Sequence, residues 1–263
     1  MQIKPKKKLG QNFLKNPIII EKIISCGSLN ANENILEVGP GTGNLTERII
    51  LRKPKNIYVV EKDKSLCELL KDKFINKLIL INDDILNIKL ENLNSKNLVI
   101  FGNLPYNIST KILTNWILNN YNFSSIKRMI LMFQKEVADR ILGQVNDKNY
   151  GRLSIIANWK FKIKKEFDIG PKEFFPRPKI DSTVLSMVPK ENFFNITEPH
   201  DLEKITSIFF NQRRKMIKKP LNKLFDNNSK IIEELNIDTN LRPQNISPEV
   251  YFKLAELYRK SRN

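Results

Sequence analysis

Between Asn34 and Leu45 the chain passes from an apolar run, Ile35-Leu36-Glu37-Val38, through Gly39-Pro40-Gly41-Thr42-Gly43 into a helical pattern. Glycines at 39, 41 and 43 let the backbone turn sharply and approach a ligand with no Cβ in the way. A glycine loop at a strand-to-helix junction marks a sheet in which strands and helices alternate, and such sheets bind ligands there. The spacing is GxGxG. A dinucleotide fingerprint puts its third glycine one residue later, where this chain has Asn44. The loop therefore suits a ligand with no pyrophosphate, such as S-adenosylmethionine, and argues against a nicotinamide-dependent oxidoreductase. A plain glycine turn is the alternative.

The rest of the N-terminal part agrees. Strand-like runs at Asn56–Val60, Leu78–Ile81, Leu98–Phe101 and Met129–Phe133 alternate with helical patterns at Ile18–Cys26, Asn44–Leu51, Lys64–Phe74, Ile108–Asn119 and Lys135–Leu142. Runs such as Ile57-Tyr58-Val59-Val60 fit parallel strands buried on both faces. The expectation is an α/β fold with a mostly parallel sheet. Leu153–Phe161 and Ser182–Val188 read as two further strands, an antiparallel hairpin. Beyond Pro189 strand signals stop, and Leu202–Phe225, Lys230–Asn236 and Pro248–Lys260 read as helices. The expected domains are 1–189 and a small helical domain over 190–263.

Candidate ligand contacts fall at strand ends, where open α/β sheets bind. Glu61 closes the second strand, 22 residues after Gly39, and suits ribose hydroxyls. Asp83 or Asp84, after the third strand, suits an adenine amino group. Asn103-Leu104-Pro105-Tyr106 follows the fourth. An exocyclic amine on a base is a poor nucleophile, because its lone pair is delocalised into the ring. Acceptors on its two hydrogens favour a pyramidal nitrogen and aim that lone pair. The Asn103 side-chain oxygen and a backbone carbonyl of the Pro105 turn supply them, and Tyr106 offers a ring for a base that has left its stack.

Forty-five Lys and Arg against 28 Asp and Glu give a net charge of +17, which points to nucleic acid. The N-terminal arm carries Lys4, Lys6, Lys7, Lys8 and Lys15 and no acid. Lys204–Phe225 carries seven basic residues and no acid, so Arg213, Arg214, Lys215, Lys218 and Lys219 are candidate RNA contacts, with Lys160, Lys162, Lys164 and Lys165 beside them. The single histidine, His200, excludes two-histidine metal sites and reads as part of a linker. Cys26 and Cys67 lack metal-ligand spacing and read as buried apolar residues on helices, in keeping with a reducing compartment. No apolar run approaches a membrane span, and Ile18–Ile20 is too short for a signal-peptide core. A cytoplasmic monomer that uses no metal is expected.

Lys8-Leu9-Gly10-Gln11-Asn12-Phe13-Leu14, the Glu37–Gly43 loop, Asn103–Thr110, Phe174–Ser182 and Phe210–Lys215 occur in that order. Together they resemble the KsgA family of small-subunit ribosomal RNA adenine dimethyltransferases, over nearly the whole chain. The resemblance implies a Rossmann-like class I methyltransferase domain with a small helical domain. It implies S-adenosylmethionine as cofactor, small-subunit rRNA in a pre-ribosomal particle as partner, and dimethylation of N6 on two adjacent adenosines near the rRNA 3′ end. It puts cofactor contacts on Asn12, Leu14, Gly39, Glu61, Asp84 and Asn103, choosing Asp84 over Asp83. It puts the target-base pocket on Asn103, Leu104, Pro105, Tyr106 and Phe174. Arg177 stands where the family often has Pro. Related readings are a large-subunit rRNA methyltransferase conferring antibiotic resistance and a non-enzymatic ribosome-assembly factor.

Overall fold

A computed structural model describes residues 5–93, 95–119, 123–226 and 228–262. Lys4 of the basic arm lies outside them, and of Lys7 only the backbone is described. In chain order the elements are β1 (Phe13–Leu14), α1 (Pro17–Cys26), β2 (Asn34–Val38), α2 (Asn44–Ile50), β3 (Asn56–Glu61), α3 (Lys64–Lys73), β4 (Ile79–Asn82), β5 (Leu98–Asn103), α4 (Ser109–Asn119), β6 (Ile126–Gln134) and α5 (Lys135–Leu142). There follow α6 (Arg152–Lys160), β7 (Phe161–Ile169), β8 (Phe174–Phe175), β9 (Ser182–Pro189), α7 (Pro199–Phe210), α8 (Lys218–Leu224), α9 (Asn228–Leu235) and α10 (Pro248–Lys260).

Among the described residues the main sheet has seven strands in the order β4-β3-β2-β5-β6-β9-β7. The first five run parallel, and β9 is antiparallel to β6. The chain winds outward from β2 to β3 and β4, then returns to the other side of β2 as β5. The strand order therefore reverses between β2 and β5, and a crevice opens there at the carboxyl ends of the strands. The register pairs Val38 with Gly102, which sets Gly39 beside Asn103 at that point. β2 is buried along its whole length, with Ile35 and Leu36 fully inaccessible, and Val59, Val99 and Phe101 fill the layer around them. Removing a large side chain from such a layer costs about 2–5 kcal/mol.

Local signals explain the element boundaries. The Asn16 side chain accepts from the Ile18 and Ile19 amides and caps α1, whose first residue is Pro17. Asp63 caps α3 through the Ser65 amide. Cys67 is buried in α3, where burial pushes its thiol up to about 11, and Cys26 is half-buried.

Two compact units emerge. The first comprises 1–116, 120–138 and 162–189, and the second 117–119, 139–161 and 190–263. The units are thus interleaved in sequence rather than meeting once at residue 189. The cause is α6. The segment expected as a strand at Leu153–Phe161 is a helix over Arg152–Lys160 whose apolar side chains are buried nearly all round, among them Leu153, Ile155, Ile156, Ala157 and Trp159. A helix buried on every side has no polar stripe and reads like an apolar strand. It packs on α7 and α10, which draws 139–161 into the second unit. The strand next to β9 is instead the charged segment Phe161–Ile169.

Within the second unit the Phe209 and Tyr251 rings meet edge to face at 5.4 Å, and the Tyr251 hydroxyl donates to the Pro243 carbonyl. The expected helix over Leu202–Phe225 is two, α7 and α8, joined by a turn that carries Arg213–Lys215. Pro220 explains the break, because in a continuous helix its ring would clash with the Met216 carbonyl. His200 is not in a linker. It follows Pro199 in the first turn of α7, with its ring bonded to Glu203 and Asn119. Among the described residues no helix is long and apolar enough to cross a membrane.

Candidate active site

The crevice at the β2/β5 reversal lies wholly within the first unit. Its wall is formed by the arm Lys8–Leu14, the loop from Glu37 to Thr42, Glu61, Asp83, Asp84 and Asn103–Ile108. All three loop glycines have positive φ: +67° at Gly39, +59° at Gly41 and +80° at Gly43. Their surroundings differ. A Cβ on Gly41 would lie 2.5 Å from the Phe13 ring, and one on Gly43 would lie 2.6 Å from the Phe74 ring. At Gly39 the nearest atom would be the Asn103 carbonyl oxygen at 3.8 Å. Gly39 therefore leaves room above the loop, while Gly41 and Gly43 are packed by the protein itself.

The arm closes one side through Asp63, a residue the motif reading did not single out. Its carboxylate accepts from Lys6 Nζ at 2.6 Å and from Gln11 Nε2 at 3.0 Å while capping α3. Burial alone would raise this carboxyl, but the bonds from Lys6, Ser65 and Gln11 outweigh it and hold it at about 2. The cap position is legible in the sequence; a partner 57 residues away is not. Asn44 Nδ2 donates to the Leu14 carbonyl at 2.8 Å, and β1 pairs with β8. Asn12 and Leu14 are thereby brought to the glycine loop.

Glu61 is buried, and its carboxylate accepts from the Asp63 amide at 2.8 Å and the Gly41 amide at 3.4 Å. Burial raises its pKa. Asp84 caps the short helix that follows it through the Leu86 amide and bonds Lys62 at 2.8 Å. Burial opposes its ionisation, but the Lys62 bond lowers its pKa.

Glu37, in the glycine motif but assigned no role from sequence, has the most unusual environment. It is 2% exposed, lies on the crevice wall, and among the described residues its Oε2 has no hydrogen-bond partner. Burial pushes this carboxyl up to about 7. Hydrogen bonds from Thr46 oppose the rise without cancelling it, and a cationic ligand beside the unpaired oxygen would favour the ionised form; S-adenosylmethionine, with its ammonium and sulfonium charges, fits such a place. The folded chain therefore holds a proton on Glu37 between pH 4.5 and 7 that the unfolded chain releases. Glu37 favours folding most below pH 4.5 and progressively less as pH rises to 7, by about 3 kcal/mol in all. Glu37→Gln is expected to be more stable than the parent at pH 8 by an amount of that order, and to lose the advantage by pH 4.5. Urea unfolding at the two pH values checks this; an unchanged difference would refute it.

Asn103 closes β5. Its Nδ2 donates to the Asn12 carbonyl at 2.7 Å, which leaves Oδ1 as the acceptor end of the amide. The turn beyond is tight: the Ile108 amide donates to the Pro105 carbonyl at 3.0 Å and the Ser109 hydroxyl to the Tyr106 carbonyl at 3.3 Å. Tyr106 is half-buried, and burial raises its phenol pKa. Phe174 is a correction. It is 2% exposed and packs in the core with Leu14 and Ile23, off the crevice wall. Strand alternation in β8 turns Phe174 inward and leaves Phe175 half-exposed, with Lys15 Nζ 5.2 Å from its ring.

Among the basic candidates of the second unit, Arg214, Lys215, Lys218 and Lys219 are exposed. Arg213 is half-buried and holds the turn in place. Its Nε donates to Gln244 at 3.0 Å and its Nη2 to the carbonyls of Asp147 and Lys148. Lys160 is not an RNA contact: it is 2% exposed, donates to the Ile117 carbonyl, and burial lowers it to about 8. In the first unit Lys164 pairs with Glu166 and Lys165 with Asp168. Among the described residues no three His, Cys, Asp or Glu gather as a metal site.

A profile of the family described as ribosomal RNA adenine dimethylase matches residues 2–260. A ribosomal RNA small subunit methyltransferase A of Pelagibacter ubique is 55% identical over 261 residues, spanning 98% of both chains. One from a Wolbachia of Drosophila simulans is 40% identical, covering 96% of this chain and 93% of its own. Among solved structures, a dimethyladenosine transferase from Plasmodium falciparum superposes with a TM-score of 0.80 at 27% identity, covering 94% of this chain and 98% of its own. The 23S rRNA methyltransferase ErmE, at 20% identity and a TM-score of 0.69, covers 94% of this chain and 99% of its own and shares the fold.

Proposed function

The chain belongs to the ribosomal RNA adenine dimethylase family, and from that premise we propose that it methylates N6 of two adjacent adenosines near the 3′ end of small-subunit rRNA. The product is N6,N6-dimethyladenosine, made during ribosome assembly in the cytoplasm by a monomer. The observation that supports this reading best is the meeting, in one crevice, of a glycine loop with an orphaned acid and a turn carrying two acceptors for an amine.

When bound, S-adenosylmethionine supplies a methyl group on a positively charged sulfur. In this reading Glu37 faces its positive charge, the backbone at Gly39 lets it approach, Glu61 takes the ribose hydroxyls and Asp84 the adenine. Asn12, Leu14 and Asn103 complete the holding set. The target adenine, out of its stack, lies on the Tyr106 ring. Asn103 Oδ1 accepts one hydrogen of its amine. The Leu104 carbonyl accepts the other in this reading, the Pro105 and Tyr106 carbonyls each already taking a hydrogen bond within the turn. Leu104 is itself 1% exposed, so its backbone is held firmly, and Pro105 restricts the turn. No side chain need take the proton before transfer, because alkylation makes the nitrogen strongly acidic and water receives the proton afterwards. Orientation and charge placement do the catalysis.

Arg214, Lys215, Lys218 and Lys219 contact rRNA phosphates in this reading, and Arg213 adds to them chiefly by holding their turn. Mass spectrometry of rRNA from cells with and without the protein tests the reading. The expected result is loss of dimethyladenosine from the small-subunit RNA when the protein is absent. Loss confined to large-subunit RNA, or no loss, would overturn it.

A further inference from the structure

Ser182 opens β9 and is wholly buried, yet it stands off the crevice wall. It pairs with Gln134 of β6, and the Lys135 amide donates to the carbonyl of the preceding Asp181, so its backbone is held on both sides. Its hydroxyl meets the Tyr106 hydroxyl at 2.5 Å, across 76 residues of sequence. Either oxygen can donate. A buried hydroxyl in a strand is spent on a partner, and this partner is the far tip of a ring that does line the crevice.

A tyrosine side chain turns about two bonds. The backbone of Tyr106 is already fixed by Ser109 on its own carbonyl and by Ile108 on the carbonyl before it. Tying down the hydroxyl fixes the far end of the ring axis, and because a phenol O–H lies preferentially in the plane of its ring, the bond also favours the ring orientation that keeps the Ser182 oxygen in that plane. Burial raises the Tyr106 phenol pKa, so the bond persists through the neutral range.

We propose that Ser182 is a positioning residue for methyl transfer: through its hydroxyl it anchors the tip of the Tyr106 ring, and hence the place in which the target adenine presents its amine. The proposal rests on the reading of Tyr106 as the stacking ring. It gives a mechanistic role to the serine that ends the Phe174–Ser182 motif. Two methyl groups are delivered to the same nitrogen, so the ring must present that nitrogen in the same place twice.

The test compares Ser182→Ala, Tyr106→Phe, the double variant and Tyr106→Ala, by single-turnover methyl transfer at saturating S-adenosylmethionine and small-subunit rRNA. Ser182→Ala is expected to slow transfer about tenfold, as for a modest misplacement of a reacting group. Cofactor affinity by calorimetry is expected to stay within twofold. Tyr106→Phe removes the same bond without touching β9, so it reports even if Ser182→Ala folds poorly, and it should slow transfer equally. The double variant should be no slower than either single one. Slowing that multiplies in the double variant would overturn the proposal, as would wild-type rates in Ser182→Ala or Tyr106→Phe. Tyr106→Ala keeps the two readings apart. A wild-type rate there removes the stacking role and the proposal with it, whereas a slow Tyr106→Ala beside an unimpaired Tyr106→Phe removes the proposal alone.

Discussion

Asn103→Ala is expected to lower the single-turnover rate of methyl transfer by roughly 10²-fold or more, the scale seen when one preorganised polar group is removed from a reacting centre. Affinity for rRNA should change little. Two effects combine. The amine loses the acceptor that aims its lone pair, and the arm loses the bond from Asn103 Nδ2 to the Asn12 carbonyl. Some loss of cofactor affinity therefore accompanies the lost turnover. Asn103→Asp separates the two, because a carboxylate still accepts from the amine but sets an oxygen against the Asn12 carbonyl. It should loosen the arm while retaining more turnover than alanine. With S-adenosylmethionine saturating, so that its charge holds Glu37 ionised, the rate should show no sharp dependence on a group titrating near neutrality, and His200→Ala should be nearly silent. Full activity in Asn103→Ala, or a neutral titration that vanishes in His200→Ala, would refute the mechanism.

Gly43→Ala is expected to destabilise the fold by about 2–5 kcal/mol, and Gly39→Ala by only about 1–2 kcal/mol. Both place a Cβ on backbone of positive φ, +80° and +67°. Only at Gly43 does that Cβ also meet packed side chains, with the Phe74 ring at 2.6 Å and Leu70 at 2.9 Å. Gly39→Ala has space, bounded by the Asn103 carbonyl oxygen at 3.8 Å, and that space is where the cofactor is read to approach. Its main effect should therefore be on ligand affinity. Urea unfolding and calorimetry with S-adenosylmethionine check the contrast, and equal losses of stability in the two variants would contradict it.

The two variants also show how differently the glycines can be read. Spacing alone singles out three glycines after a strand as a ligand loop. Nothing in the spacing says that Gly41 lies under Phe13 and Gly43 under Phe74, while Gly39 faces open space. The same division runs through the site. That Glu61, Asp83, Asp84 and Asn103 come to one crevice was legible because the carboxyl end of a strand in a doubly wound sheet is a fixed address, while the choice of Asp84 over Asp83 came from the family resemblance. Asp63 belongs to no motif, and its bonds to Lys6 and Gln11 exist only in the fold. Glu37 stood in plain view inside the motif, but its raised pKa and its unpaired oxygen come from burial, which the motif does not show. Phe174 and Phe175 are adjacent aromatics, and only the pairing of β8 with β1 decides which of them turns inward.

What the sequence determined by itself are features set by neighbours along the chain: the alternation of strands and helices, the glycine loop and the turn at Pro105. The failures came where burial, rather than periodicity, decides. Helix α6 is covered on every side and so lacks the polar stripe that announces a helix, and β7 carries charges that hide a strand. Lys160 reads as one of a run of cations until the fold buries it against the Ile117 carbonyl. Asp63 with Lys6, Asn103 with Asn12 and Tyr106 with Ser182 are bonds between segments 57, 91 and 76 residues apart. They exist only once the order of the strands brings those segments together, because a hydrogen bond needs its partners within about 3 Å and no local pattern encodes that distance.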